Sequence, residues 1–516
     1  MTTAYPTTTA ESDVFLSARE QLRGMERHLE SAEALAADHH ELEAYVVREG
    51  RELQRRLFQA HLDLRAARER RVEVRGADGV ARSQLRQTSS RPLVTMTGPV
   101  RQARFAYQAR VTDGLHPADA ALNMPVEVYS YGVRRLAAVE ASKGSFAEAA
   151  EQLRTATGVA IGKRQVEELT RRAANDVETF YAARAVEPEK TDDLLVLTFD
   201  GKGIVMRTEG LREETRRRAA ESKPKLGTRM AKGERPYRKR IAQVAAVYSV
   251  ERHPRTARDI FKDLRPVRDA ATKRPRAYNK RVWASGKRDP CAVIDEAFVE
   301  ALRRDPDRRR AWVVPVDGNR DQIRLVKKAA KKHGVNITLV LDLIHVIEYL
   351  WRAAHCFYAE GTKDAENWVE QWLLALLSGR SGGYVSTAIR RLARLRGLRG
   401  TKKKAALDVA RYLRNNSKLM NYERVLRWGL PISTGVIEGA CRHLVKDRMD
   451  RTGARWSLDG AEAVLMLRSV RSSADFDDYW AFHLAREYER NHASHYADGQ
   501  APCPLRATRP ALRRVK

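Results

Sequence analysis

Three aspartates each follow a short apolar run, which is the sequence pattern of a buried strand. The runs are residues 194–199, 311–316 and 336–341, and they end in Asp200, Asp317 and Asp342. Functional side chains of parallel sheets gather at the carboxyl ends of the strands, so we expect these carboxylates to lie close together. Carboxylates held that close repel one another unless a cation lies between them.

The ligand chemistry of this group favours Mg²⁺ or Mn²⁺, because hard oxygen ligands select hard cations. Two such ions about 4 Å apart could activate an attacking oxygen and stabilise the leaving oxygen of one phosphodiester. Spacing alone leaves open whether Asp317 or Asp342 is the second ligand, and Asp-Gly after a strand is also ordinary turn chemistry. The four cysteines are scattered singly, so neither zinc nor a disulfide framework is expected.

The segments between these aspartates predict an α/β layer. Residues 311–316, 322–332 and 336–341 are typical of a strand, a helix and a strand, which implies a right-handed parallel crossover. Residues 241–250 predict a further strand, and residues 346–428 are helical throughout.

Three tryptophans, Trp351, Trp368 and Trp372, fall within the long helical stretch. An aromatic ring there could stack on an extruded base. Aromatic residues at helical spacing are more often core residues, so we expect these three to be buried.

The chain carries 96 Lys and Arg against 66 Asp and Glu, a formal net charge of +30. An excess of that size predicts a polyanionic partner, and nucleic acid is the usual one. No apolar run approaches a membrane-spanning length and residues 1–20 lack a signal-peptide pattern, so we expect a soluble, cytoplasmic, nucleoid-associated protein. Residues 207–240 hold 13 Lys and Arg against 5 Asp and Glu and predict a mobile basic loop, in which Arg216, Arg217 and Arg218 would contact phosphates.

The N-terminal part predicts helices and then a small β element. Residues 13–76 show helical periodicity and suggest a helical hairpin, with a dimerising coiled coil as the alternative. Residues 77–91 are polar and predict a linker. Two strands follow within residues 91–107, divided by Gly98 and Pro99.

A helix-turn-helix pattern lies further along the chain. Ser145 could cap a first helix, the turn falls at 157–159, and Lys163, Arg164 and Gln165 lead a second helix. Such a second helix would lie in the major groove of DNA. An ordinary helical hairpin fits the pattern equally well, and only the basic charge of the chain favours DNA binding.

Four segments, taken in order, resemble transposases of the ISKra-type insertion-sequence family, which belongs to the DDE superfamily with a ribonuclease-H-like fold. The resemblance runs with gaps from about residue 90 to residue 497. The segments are Thr198–Gly203, Val316–Asn319, Asp342–Trp351 and Thr434–Met449.

The resemblance implies that Asp200, Asp317 and Glu438 form a catalytic triad that binds two Mg²⁺ or Mn²⁺ ions. It favours Asp317 over Asp342 as the second ligand and places His345 near the scissile phosphate. Without the resemblance, His345 would be expected to be a core histidine. Arg442, Lys446 and Arg448 follow Glu438 on what should be one helix, where they could hold DNA phosphates or form a solvated face.

One departure from the family pattern concerns residues 107–117. Relatives commonly place paired cysteines of a zinc-ribbon-like element there, whereas this chain has none. The departure puts in doubt the stability or the DNA role of residues 91–125.

Taken together, the expected fold is multidomain α/β plus α, with a ribonuclease-H-like catalytic core and preceding helical and helix-turn-helix DNA-binding regions. The implied function is binding of an element's terminal inverted repeats, DNA cleavage and strand transfer, by a homodimer or higher homo-oligomer on double-stranded DNA. The alternatives are a catalytically inactive, domesticated DNA-binding relative and a structure-specific nuclease. The expected divisions are a tail (1–12), an N-terminal helical region (13–90), the β element with the helix-turn-helix (91–190), the first part of the core (191–345), an all-helical insertion (346–430), the last part of the core (431–497) and a basic tail (498–516).

Overall fold

The computed structural model describes residues 14–222, 237–264, 275–451 and 453–505. Its helices are α1 (Leu16–Leu29), α2 (Ala32–Ala36), α3 (His39–Ala67), α4 (Pro117–Ala121), α5 (Tyr131–Lys143), α6 (Phe146–Thr157), α7 (Lys163–Ala173), α8 (Val177–Ala183), α9 (Glu213–Glu221), α10 (Ala257–Leu264), α11 (Pro290–Arg304), α12 (Arg320–Lys332), α13 (Leu343–Phe357), α14 (Lys363–Leu377), α15 (Gly382–Leu395), α16 (Gly400–Asn415), α17 (Tyr422–Arg427), α18 (Gly435–Ala440), α19 (Asp447–Met449), α20 (Leu458–Ser472) and α21 (Phe476–Asn491). A π-helical segment, Cys441–Lys446, joins α18 to α19.

The strands are β1 (Gln84–Thr95), β2 (Gly98–Gln108), β3 (Leu194–Val205), β4 (Lys239–Val250), β5 (Tyr278–Ser285), β6 (Trp312–Val316) and β7 (Ile337–Leu341). The protein is therefore mixed α/β, as the sequence predicts. It divides into two compact units, one of residues Met1–Ala182 with Phe476–Lys516 and one of Ala183–Asp475. Helix α21, expected in the last part of the core, thus belongs to the first unit. Among the described residues, no helix combines the length and the apolar character needed to cross a membrane.

A five-stranded sheet forms the centre of the unit Ala183–Asp475. Its strand order is β5-β4-β3-β6-β7, with antiparallel pairing among the first three strands and parallel pairing from β3 to β7. β6 is buried at every residue, because helices cover both faces of a parallel layer. The crossover from β6 through α12 to β7 confirms the predicted strand, helix and strand.

β3 is longer than the sequence predicts. It continues past Asp200 to Val205, because β4 pairs with it along its whole length, from Leu194 with Val250 to Val205 with Lys239. The pairing of β3 with β6 is much shorter and consists of the pairs Leu195–Trp312 and Val196–Val313. The expectation that the strand ends at Asp200 was therefore wrong, and β5 was not predicted at all.

The predicted basic loop 207–240 is partly regular structure. It contains α9 and the first residues of β4, so the description as an irregular loop was wrong for these parts. Residues 223–236 lie outside the described residues.

The helices α13 to α17 confirm that residues 346–428 are helical. They bury one apolar face each against the core of the same unit; α13, for example, buries Val346, Leu350, Ala353 and Ala354. Trp368 is buried, and Trp351 and Trp372 are partly buried against the same core. The prediction of core tryptophans is confirmed for Trp368 and holds in part for the other two.

In the other unit, α1 and α3 confirm the predicted helical hairpin. Gln21 on α1 donates to Glu49 on α3 at 2.9 Å. Residues 84–91, expected in a linker, instead begin β1, because they pair with β2 in an antiparallel hairpin. Of the predicted tail 498–516, the part up to residue 505 packs back on the chain, with the Arg70 amide donating to the Pro504 carbonyl at 2.8 Å; the predicted tails over 1–12 and 506–516 lie outside the described residues.

Candidate functional site

The sheet register brings the three aspartates to one level on three neighbouring strands. Val316 pairs with Leu341, so Asp317 and Asp342 are the next residues on β6 and β7. Val196 pairs with Val313, and four residues further along each strand come Asp200 and Asp317. The register therefore places three carboxylates side by side, with Asp317 and Asp342 at the ends of β6 and β7 and Asp200 midway along β3.

Asp342 is fully buried and hydrogen-bonded on both carboxylate oxygens. His345 Nδ1 lies 2.5 Å from Oδ2, and the Thr434 hydroxyl lies 3.0 Å from the same oxygen. The amides of Ile344 and Thr434 each donate to Oδ1 at 3.3 Å. Burial by itself would raise the pKa of Asp342, but the hydrogen bonds from His345 and Thr434 outweigh it and lower the pKa.

His345 is a cation at neutral pH in the metal-free site. The hydrogen bond to Asp342 raises the pKa of the imidazole to about 9, against the opposing effect of burial. The charge of Asp317 also raises this pKa, which places Asp317 within electrostatic reach of the ring. Because Nδ1 is held by Asp342, the Nε2–H group is the ring donor left for a substrate oxygen, and the imidazolium must lose a proton before it can bind a metal ion.

Glu438 approaches this pair from α18. Its Oε1 lies 2.8 Å from the Thr434 hydroxyl, which also contacts Asp342. The ligand atoms of Asp342, His345 and Glu438 all lie within 4.8 Å of one another, so they could hold a metal ion. Glu438 is exposed, and within the described residues its Oε2 makes no hydrogen bond, so this oxygen can bind a cation.

Asp200 lies halfway along β3 and is held from two sides. Its own neighbour, the Gly201 amide, donates to Oδ1 at 2.6 Å, and the Cys441 thiol donates to Oδ2 at 3.2 Å. Burial raises the pKa of Cys441, and the charge of Asp200 raises it further. Cys441 therefore stays a thiol that orients Asp200, a positioning role that the scattered cysteine pattern did not reveal.

Asp317 lies in a tight turn that α16 supports. The Asn319 amide donates to its Oδ1 at 2.8 Å, and the Tyr412 hydroxyl donates to its carbonyl at 2.9 Å. Gly318 has φ +94°, and a Cβ there would stand 3.0 Å from the Tyr412 ring, so the turn requires glycine. Tyr412 was not singled out in the sequence, because nothing local links residue 412 to residue 317.

The donor set fits a hard divalent cation, with carboxylates predominating and a single imidazole. The expected triad of Asp200, Asp317 and Glu438 is not itself a group with all ligand atoms within 4.8 Å in the part of the chain that the structure describes. The compact group contains Asp342 and His345 with Glu438 instead, and the choice of second ligand remains a prediction.

A second group of possible metal ligands, Asp176, His483 and Glu487, lies buried in the other unit. Arginines already neutralise it: Arg490 lies 2.5 Å from Asp176, and Arg134 lies 2.6 Å from Glu487. With these cations in place, the group is an ion-pair network rather than a metal site.

The helix-turn-helix residues are arranged as the pattern predicts. Ser145 and Glu148 form a capping box at the start of α6, and Gly158 ends that helix with φ +72°. Val166 and Leu169 are buried in a core shared by α5, α6 and α7. At the first turn of α7, the side chains that would contact bases, Lys163, Arg164 and Gln165, are all exposed.

The remaining basic candidates differ in their surroundings. Arg216, Arg217 and Arg218 are exposed on α9, where each pairs with a glutamate of the same helix: Glu213, Glu221 and Glu214 respectively.

The residues after Glu438 do not continue one α-helix as predicted, because Cys441–Lys446 is π-helical. Arg442 and Lys446 are exposed. Arg448 is 3% exposed and lies 4.6 Å from the centre of the Trp456 ring, so it is a packing residue in this structure and not an exposed phosphate contact.

No protein-family model and no curated protein matches this chain in sequence.

Proposed function

We propose that the protein is a metal-dependent DDE transposase that binds the terminal inverted repeats of an insertion sequence, cleaves DNA and transfers strands. The observation that carries the proposal is the row of Asp200, Asp317 and Asp342 on three neighbouring strands, with Glu438 and a cationic His345 beside it. Such a row of acids is costly to maintain without a cation, and it suits phosphodiester chemistry.

The sheet supports a ribonuclease-H-like core. Three antiparallel strands followed by two parallel strands form one five-stranded sheet, and the helices α13 to α17 come between β7 and the segment that carries Glu438. This order agrees with a core that an all-helical insertion divides.

Asp200, Asp317 and Glu438 would hold two Mg²⁺ ions, which supply activation of the attacking oxygen and stabilisation of the leaving oxygen. Cys441 holds Asp200 in place, and Tyr412 holds the turn of Asp317. His345, fixed by the buried Asp342, presents a positive charge and a proton to a phosphate oxygen.

DNA would be recognised away from the carboxylates. Lys163, Arg164 and Gln165 would reach base edges in the major groove. Arg442 and Lys446, exposed just beyond Glu438, would hold phosphates beside the site. Arg216, Arg217 and Arg218 remain candidates for sequence-independent contacts, although their ion pairs within α9 weaken the charge that they present.

The test is cleavage of the element's end DNA in Mg²⁺ by Asp200→Ala, Asp317→Ala and Glu438→Ala. We expect each variant to lose cleavage while it binds end DNA nearly as well as the wild type. Asp321→Ala is the matched control, because Asp321 is an exposed carboxylate on α12 only four residues after Asp317. Wild-type cleavage by any one of the three variants would remove that residue from the triad.

Two outcomes would favour the alternatives. Specific binding of end DNA without cleavage by the wild type would indicate the inactive, domesticated DNA-binding protein. Cleavage that follows DNA structure instead of the end sequence, without joining, would indicate a nuclease.

A further inference from the structure

The helical hairpin of α15 and α16, with its continuation to residue 428, carries a larger charge imbalance than the basic segment 207–240. Residues 379–428 contain 14 Lys and Arg against two acids, Asp408 and Glu423, whereas residues 207–240 contain 13 against 5. All of residues 379–428 lie within the described structure.

The charge is densest at the tip of this hairpin, residues 390–404, where α15 ends and α16 begins. We call these residues the cationic tip. It contains no acidic residue, and every one of its basic residues is exposed: Arg390, Arg391, Arg394, Arg396, Arg399, Lys402, Lys403 and Lys404.

Within the part of the chain that the structure describes, none of these eight cations forms an ion pair; the one ion pair among the basic residues of 379–428 is Arg411 with Asp408, at 3.4 Å. On α9, by contrast, all three arginines are paired. Mutual repulsion of eight unpaired charges is unfavourable for folding, so the tip suits a polyanionic partner.

The cationic tip stands on a rigid base. α15 buries Val385, Ile389 and Ala393, and α16 buries Val409 and Leu413 against the core. The Ser386 hydroxyl donates to the Ala410 carbonyl at 2.6 Å and joins the two helices. The charges are therefore presented by packed helices and a link of four residues, with a fixed spacing.

The far end of α16 reaches the candidate site. Tyr412 donates to the Asp317 carbonyl and stacks on Tyr349 with ring centres 3.8 Å apart. The 16 residues of α16 span roughly 24 Å at 1.5 Å per residue. Lys402 to Lys404 of the cationic tip are eight to ten residues before Tyr412, so they lie roughly 12–15 Å along the helix axis from the residue that contacts Asp317.

We propose that the cationic tip binds the phosphates of duplex DNA that extends outward from the carboxylate site. The inference rests on the proposed function only for the position of the scissile phosphate. An axial separation of roughly 12–15 Å corresponds to about four base pairs at 3.4 Å each. The contacts are to phosphates and carry no sequence preference.

The first experiment measures binding of the full chain to a random-sequence duplex across a salt series. The tip variant is Arg391→Gln, Arg394→Gln and Lys403→Gln; the matched control is Lys327→Gln, Lys328→Gln and Lys331→Gln on α12, which removes the same charge from exposed positions. We expect the slope of log affinity against log salt to become shallower by about 0.9 for each phosphate that the tip variant no longer neutralises. We expect the control to keep the wild-type slope.

The second experiment locates the contact by ethylation interference on cleavable end DNA. We expect ethylation of phosphates about four base pairs from the cleavage position to block binding of the wild type and of the control. We expect binding of the tip variant to be insensitive to ethylation of these phosphates. Equal slopes for the tip variant and the control would overturn the inference. The inference would also be overturned if the tip variant lost binding to phosphatidylserine vesicles but bound the duplex as well as the wild type does, because the tip would then bind membranes.

The two proposals can fail separately. If the protein never cleaves DNA but its binding to a duplex depends on the cationic tip, the proposed DNA-binding surface is supported and the proposed transposase function is wrong. If the protein cleaves end DNA but the tip variant binds the duplex with the same salt dependence as the control, the transposase function is supported and the DNA-binding surface is wrong.

Discussion

At the scale of residues, Asp317 has one carboxylate oxygen that is open to a cation within the described residues. Asp317 lies level with Asp200 and Asp342 on the sheet, and its Oδ2 accepts no hydrogen bond within the described residues. Unlike Asp342, it is not neutralised by a bonded histidine. A bound cation would therefore balance the negative charge of Asp317.

We accordingly expect Asp317→Asn to raise the melting temperature of the metal-free protein and to abolish stabilisation by Mg²⁺. In the wild type, Mg²⁺ at a hundred times its Kd should add about 2.7 kcal/mol. Asp342→Ala should weaken Mg²⁺ binding less than Asp317→Ala does. Thermal melts across a Mg²⁺ titration measure both, and the reverse order would make Asp342 the second ligand.

His345 gives a pH-dependent signature of the same site. Its ion pair with Asp342 raises the pKa of the imidazole to about 9. Because folding raises this pKa, the ion pair stabilises the folded protein fully below about pH 6.5, the pKa of histidine in the unfolded chain. This stabilisation is lost as the pH rises through about 9.

In Asp342→Asn, we expect the pKa of His345 to fall to near 6.5 or below, because burial then acts without the carboxylate. The measurement is an NMR titration of the His345 ring in metal-free buffer, with Asp321→Asn as a control. An unchanged titration near 9 in Asp342→Asn would show that another group sustains the charge.

At the scale of elements, the first turn of α7 is exposed. The hypothesis that α7 recognises DNA bases can therefore be tested by substitutions in this turn. Arg164→Ala with Gln165→Ala should erode the preference for end DNA over random DNA by roughly 1–3 kcal/mol for each base contact that the substitutions remove. Competitive binding across a salt series measures the preference. Arg154→Ala on α6 is the control, since Arg154 is exposed but already paired with Glu151.

A double variant that keeps full end preference would place recognition elsewhere, with residues 13–76 as the next candidate. α1 and α3 lie in that segment and form a hairpin, and exposed apolar positions such as Leu35 and Val47 occur within it.

The elements that the sequence predicted best are those defined by local pattern. The apolar runs of β6 and β7, the amphipathic α12 and the capping box of α6 all depend on neighbouring residues. The extension of β3 past Asp200 could not be predicted, because it depends on pairing with β4 more than 30 residues away. The same holds for β1, whose polar first half is a strand because β2 pairs with it.

The sequence predicted the carboxylates of the candidate site but not the residues that hold them in place by hydrogen bonds. Asp200, Asp317 and Asp342 each follow a visible apolar run. Cys441 and Tyr412 contact them from segments 241 and 95 residues away, respectively, and no local pattern marks such contacts. The π-helical turn was likewise unexpected, since its residues favour a continuous helix.

The loop between Tyr107 and Leu115 is closed by backbone pairing. The two residues exchange N–H···O bonds at 2.9 Å in both directions. His116 Nδ1 lies 3.0 Å from the Phe105 carbonyl and holds the segment that follows. Hydrogen bonds therefore hold this element closed without a metal ligand set.

At the scale of the whole molecule, the two compact units contain separate buried cores and should unfold as separate transitions. The unit that contains α5 and α21 depends on a buried network. Arg134, 0% exposed, donates to Glu127 and to Glu487 at 2.6 Å each.

Arg134→Met should destabilise that unit by about 3–5 kcal/mol, because it removes the buried cation that Glu127 and Glu487 share and leaves each with one half-exposed arginine, Arg172 and Arg490 respectively. The other transition should not move. Denaturant melts followed by circular dichroism measure both, and Arg154→Met, which removes an exposed ion pair, is the control. A parallel shift of both transitions would show that the units unfold as one.

The π-helical segment after Glu438 has a genetic consequence. A π turn closes its hydrogen bonds over five residues where an α turn uses four, so it accommodates one residue more. Deletion of a single codon within Cys441–Lys446 would remove this extra residue and close an ordinary α-helix, so the segments on either side would keep their register. An in-frame loss of three nucleotides there should therefore be tolerated by the fold, whereas the same loss within α18 would rotate the residues on either side by about 100° relative to one another.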